Sequence, residues 1–121
     1  MISREKALRI ARDWIDSWNR HDLDSIMSHY SEDVVLISPI VIKLLGDDSG
    51  TVMGRDALRE YFKRGLEAFP ELRFEMLEVF TGVDSLVLYY SRQNGPVGAE
   101  VMELNKDDKI RKVIAHYDHA K

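Results

Sequence analysis

Glu100 is the residue of this 121-residue chain best placed to do chemistry. It lies in Gly98-Ala99-Glu100-Val101-Met102-Glu103-Leu104, a stretch that reads as a β-strand. Side chains alternate across a strand, so Glu100, Met102 and Leu104 share one face and Ala99, Val101 and Glu103 the other. A carboxylate standing where an aliphatic residue is the default loses its hydration. That costs roughly several kcal/mol unless the group finds a partner or keeps its proton. A carboxyl so placed can act as an acid or as a hydrogen-bond donor. Only a nearby basic group would hold it ionised, and Arg92 shares parity with Leu88 and Tyr90 on the preceding strand. The competing reading is a strand edge at which Glu100 reaches water.

Other candidates carry less chemistry. Trp14 and Trp18 lie one turn apart on a helix, a spacing that makes core residues more often than a ligand platform, and Trp18 is read as core. Tyr30, Tyr61 and Phe62 are aromatics of the kind that line cavities. His21 falls in a helix–helix turn and His29 on a short helix, both read as surface groups. His116 and His119 flank Tyr117-Asp118, but His116 and Asp118 take one strand face and His119 the other, so no metal site is expected. Asp47-Asp48-Ser49-Gly50 lacks the spaced oxygens of a calcium loop and reads as a turn. No phosphate-binding glycine loop or nucleophile elbow occurs, and no cofactor is expected.

Composition narrows the classes further. Cysteine is absent, which removes disulfides, thiolate metal sites and cysteine nucleophiles. A net charge of -4 and no basic cluster longer than two residues argue against nucleic acid as a partner. No run approaches the ~20 apolar residues of a membrane span. The first residues lack the apolar region of a signal peptide, so a cytoplasmic location is expected. The length suits one domain, residues 1–121.

The elements that must position these residues can be read in order. Ser3 caps a helix with the stripe Ala7, Leu8, Ala11, Trp14, Ile15 and Trp18. Asp22 caps a short second helix carrying Leu23, Ile26, Met27 and Tyr30. Val34-Val35-Leu36-Ile37 is a strand ending at Ser38-Pro39. Residues 40–45 read as a continuing strand or a flap and residues 46–50 as a polar turn; the segment 40–50 is expected to close over or narrow the pocket mouth, with an extended edge hairpin packed away from it as the alternative. A third helix covers residues 55–68, and Pro70 prevents its continuation. Strands follow, with Leu72, Phe74, Met76 and Phe80 on one face of the first, Asn94-Gly95 as a hairpin turn, and a last strand over residues 109–117. Helices first and a meander after give an α+β class. Val79, Val87, Tyr89 and Val101 fall on the face opposite Glu100. Three helices cover only one face, so the outer face is expected to make a homodimer, with Glu103 at its rim or paired with a basic residue.

Several stretches resemble the SnoaL-like branch of the NTF2-like superfamily. They are Trp18-Asn19-Arg20-His21-Asp22-Leu23-Asp24, Tyr30-Ser31-Glu32-Asp33-Val34, Gly54-Arg55-Asp56-Ala57-Leu58, Phe69-Pro70-Glu71-Leu72-Arg73-Phe74-Glu75, Lys109-Ile110 and Tyr117-Asp118. The resemblance implies a cone: three N-terminal helices packed on a curved, mostly antiparallel sheet, with a pocket for small apolar molecules at the open end. The chain is similar also to the related ketosteroid isomerases. Carried over by position, their basic aspartate falls at Ser38, their tyrosine donor at Trp14 and their protonated aspartic acid at Glu100. Ser38 cannot serve as that base, because its hydroxyl is neither basic nor ionised. The neutral-acid role is that enzyme's own, and the general rule comes from it. The resemblance therefore implies a small, apolar or carbonyl-bearing ligand held by Trp14, Tyr30, Ser38, Tyr61, Phe62, Met102 and Tyr117. Glu100 would act as acid or donor in isomerase-, cyclase- or hydratase-like turnover without a cofactor. The alternative is a non-catalytic binding or dimerisation module on the same fold.

Overall fold

The computed structural model describes residues 1–118. Helix α1 (Arg4–Asn19) begins where Ser3 Oγ accepts the Lys6 N–H at 3.1 Å, and its stripe buries Ala7, Ile10, Ala11, Trp14 and Trp18. Helix α2 (Leu23–Met27) is capped by Asp22, which accepts the Ser25 N–H at 3.2 Å. Strand β1 (Tyr30–Ile37) follows, so Tyr30 opens a strand instead of closing a helix.

Residues 40–45 are not a strand. They belong to helix α3 (Pro39–Leu45), which raises the helix count from the expected three to four. An unbroken aliphatic run fits either state, and here its ends decide. Ser38 Oγ accepts the Ile40 N–H at 3.1 Å, Pro39 occupies a first-turn position that needs no N–H, and Gly46 closes the helix at φ 70. Strand β2 (Thr51–Met53), helix α4 (Arg55–Ala68) and strands β3 (Glu75–Thr81), β4 (Ser85–Ser91), β5 (Val97–Leu104) and β6 (Ile110–Tyr117) complete the chain.

The six strands form one open sheet in the order β2-β1-β6-β5-β4-β3, antiparallel except between β1 and β6. The class is α+β, an open and mostly antiparallel sheet with helices packed against it, as the resemblance implies. Asn19 pins the end of α1 to the approach to β3: its amide donates to Phe74 O at 2.8 Å and its carbonyl accepts Phe74 N–H at 2.7 Å. His21 is drawn into the same junction, with Nε2 2.8 Å from Leu72 O, and is not the solvated group expected.

β3 departs from simple alternation. Its register with β4 shifts between Met76 and Glu78, an irregularity that exchanges the two faces beyond it. Val79 therefore turns into the core and Phe80 turns out at 56% exposure, the reverse of the expected parity. Phe80 takes the place of Val79 on the outer face. There Phe80, Val87, Val101, Ile114 and Ile37 are successive cross-strand partners over five strands. Glu103 bonds to Arg111, with Nη2 and Oε1 3.2 Å apart. Among the described residues no helix is long and apolar enough to cross a membrane.

Candidate functional site

The inward residues of α1, α4 and the sheet do not meet everywhere, and a cavity remains between them. Its interior is buried: Trp14 and Trp18 from α1, Tyr30 and Leu36 from β1, Tyr61 and Phe62 from α4, Tyr90 from β4, Glu100 from β5 and Ala115 from β6. Ser38 is buried there too, while Ile40, Gly65, Phe69, Leu72, Phe74 and Tyr117 line the cavity and are partly exposed. The empty space is about 560 Å³ with the open mouth included, but the centre of a water molecule can range over only about 80 Å³.

Of the residues singled out in the sequence, Trp14, Tyr30, Ser38, Tyr61, Phe62, Glu100 and Tyr117 all line this cavity. Met102 does not. It lies two residues along β5 from Glu100, between Leu86 and Val113 on the neighbouring strands, and is wholly buried in the core. Trp18, which reads as a core residue, is a wall of the cavity. Of residues 40–50, Ile40 alone lines the cavity, from α3; Val41 is buried in the core and Ile42 and Leu45 are exposed. His29 is half-buried against α1, its Nε2 3.1 Å from Ser17 Oγ, and burial lowers its pKa below the ordinary histidine value. Among the described residues no three His, Asp or Glu side chains gather as metal ligands; His119 lies outside those residues.

Glu100 is 4% exposed. Burial pushes its pKa up from 4.5 to about 7, although the hydroxyls of Tyr90 and Tyr117 and the charge of Arg92 pull the other way. Tyr90 Oη donates to Glu100 Oε2 at 2.9 Å. Arg92 makes no ion pair with Glu100: its Nη2 is 3.7 Å from Asp118 Oδ1, and its Cζ lies 4.6 Å from the centroid of the Tyr117 ring. A carboxyl with a pKa near 7 is poised to give or take a proton at neutral pH.

The remaining polar groups are mostly phenols. Burial raises Tyr61 to about 12 and lifts Tyr30, Tyr90 and Tyr117 well above their ordinary values, so all four are neutral hydrogen-bonding groups at physiological pH. The Ser38 hydroxyl offsets part of that rise at Tyr61 and Tyr117. Trp14 Nε1 donates to Tyr30 Oη at 2.9 Å, so its N–H is directed to the protein. Trp14 presents the cavity with an aromatic face, stacked on Phe74 at 5.6 Å between centroids and 12° between planes. The sequence reading passed over the apolar lining residues Leu36, Phe69, Leu72 and Phe74 and, among the polar ones, Tyr90. Its only signal is its inward parity with Leu88, and its approach to Glu100 depends on a cross-strand register that one strand alone does not reveal.

The model of the SnoaL-like domain family matches residues 11–113. No curated protein matches the chain. Among solved structures, a SnoaL-like protein of unknown function from Burkholderia thailandensis superposes with a TM-score of 0.92 at 35% identity, over 97% of this chain and 98% of that one. A proposed isomerase of the SnoaL-like family from Agrobacterium tumefaciens gives 0.74 at 17% identity, over 93% and 97%. TerC, co-crystallized with polyporic acid, gives 0.76 at 17% identity, over 93% and 91%. At such identities the last two show the shared fold alone.

Proposed function

The chain belongs to the SnoaL-like family, and on that premise we propose that it binds a small, largely apolar, carbonyl-bearing molecule in its cavity. Glu100 supplies the proton or hydrogen bond that meets the ligand oxygen. Isomerase- or cyclase-like proton transfer without a cofactor is the activity that this placement serves. The observation that carries the reading is Glu100 itself: buried in an aromatic cavity, held by a phenol and free of any ion pair. The apolar row on the outer face supports a homodimer as part of the same proposal.

The test has two arms. Acetophenone and isopropylbenzene have nearly the same shape, and only the ketone accepts a hydrogen bond. The protein should bind the ketone roughly fivefold to tenfold more tightly, the yield of one such bond. Glu100→Gln should keep that preference, because an amide still donates, and should abolish any proton transfer. Glu100→Leu should erase it. Equal binding of the two probes, or a preference that survives Glu100→Leu, overturns the reading.

The second arm is thermodynamic. The folded protein holds the Glu100 proton more tightly than the unfolded chain does. The resulting stabilisation is fully present below the unfolded value of 4.5 and is lost as pH rises through about 7. Over that span it amounts to about 3 kcal/mol. Denaturant titrations should show this decline in the wild type and its absence in Glu100→Leu.

A further inference from the structure

Gly65 lies inside α4, three residues before its last position, where glycine destabilises a helix relative to alanine. Nothing in the backbone or the packing asks for it. Gly65 has no positive φ, and a Cβ built on it would meet no heavy atom within 4 Å. Gly65 lines the cavity together with Tyr61 four residues before it and Phe69 four residues after, so the space it leaves open faces the cavity, and its partial exposure places it toward the outside. Ile40 of α3, and Phe69 and Leu72 of the segment leading to β3, line the same cavity as Gly65, as do the buried Trp14 and Trp18. Arg64, the neighbour of Gly65, donates from Nη2 to Leu44 O at 3.3 Å and so ties α3 to this part of α4. A side chain at position 65 would project into a portal whose other edges are already large.

We propose that Gly65 is a specificity-determining residue that holds the portal open and sets the width of ligand it admits. The flanking groups are aliphatic and aromatic, so the portal suits the flat, uncharged end of a cyclic or aromatic molecule. This deepens the ligand-binding proposal and rests on it for the nature of the ligand. The portal itself can be tested without one.

Both tryptophans of the chain line the cavity, so their fluorescence reports what enters it. Acrylamide, a small neutral quencher, is the probe. Gly65→Phe should lower the quenching constant by roughly threefold or more, leaving only access through local opening. Gly65→Ala should give an intermediate constant and raise Tm by roughly 2–5 °C, because the helix gains and no contact is lost. Glu67→Phe, an equal change at an exposed position of α4 outside the cavity, should quench as the wild type does. Wild-type quenching in Gly65→Phe, or a lowered Tm in Gly65→Ala, overturns the proposal. If Gly65→Phe does not fold, Gly65→Leu supplies the same comparison. Gated quenching in a protein that fails to bind acetophenone would uphold the portal and reject the ligand reading instead.

Discussion

Tyr90 and Tyr117 approach Glu100 over a position that carries no side chain. In the sheet register Gly98 is the cross-strand partner of Tyr90 on one side and of Tyr117 on the other. A Cβ there would sit 3.0 Å from Tyr117 Cδ1 and 3.2 Å from Tyr90 Cζ, inside ordinary contact distance. The glycine thus lets two rings lean across β5 toward the carboxyl two residues on. Gly98→Ala should displace one or both rings and cost about 1–3 kcal/mol as an overpacking change. Tyr90 and Tyr117 both lower the Glu100 pKa, so their displacement should also move its midpoint above about 7. An NMR titration of the Glu100 side-chain carboxyl carbon reads this directly, and an unmoved midpoint would show that the rings yield without releasing the carboxyl. Glu100 was legible from strand parity because a charged residue in an apolar row is conspicuous. Of the phenols beside it, Tyr117 came only through the family resemblance and Tyr90 not at all, because tyrosine is ordinary in such a row and only the register brings these two together.

Element by element, the legible parts were those whose ends and periodicity agree. α1 has its serine cap and stripe, and α4 has the stripe and the proline beyond it. Residues 40–45 misled because six largely aliphatic residues carry no decisive period, while Ser38-Pro39 and Gly46 specify a helix through capping alone. β3 misled for a different reason: the extra residue near Leu77 leaves no mark in composition, yet it reverses Val79 and Phe80. The capping argument is testable. Ser38→Ala removes the acceptor of the Ile40 N–H and should lower stability by about 1 kcal/mol. The loss should be concentrated in α3, so the amides of Val41 and Gly46, which bond to Ser38 O and Ile42 O, should exchange faster while the β4–β5 ladder is unchanged. Uniform protection across α3 and the sheet would show that packing of Val41 and Ile40, rather than the cap, holds this helix.

For the whole molecule the decisive feature is the outer sheet face. The four helices leave it uncovered, and the row Phe80, Val87, Val101, Ile114 and Ile37 crosses five of the six strands without a charge. Phe80 is 56% exposed and Tyr89 38%. Their neighbours Glu103 and Arg111 are paired with each other, which places charge beside the apolar row and leaves none within it. A continuous patch of this kind is rare on a monomer, and burying it against a copy of itself about a two-fold axis is the simplest closed arrangement. A stable interface needs about 1,200 Å² or more of total buried area, so the row must be covered together with its flanks. Val101 is the central member of the row, so Val101→Lys would bring an unpaired ammonium to the middle of the interface on both subunits. The wild type should scatter light as a dimer at micromolar concentration, and the variant as a monomer. Val101 points away from the cavity, so the helical and sheet signals in circular dichroism and the Glu100 midpoint near 7 should survive the change. A wild type that is monomeric at that concentration would end the dimer proposal. A Val101→Lys variant that remains dimeric would move the interface off this face.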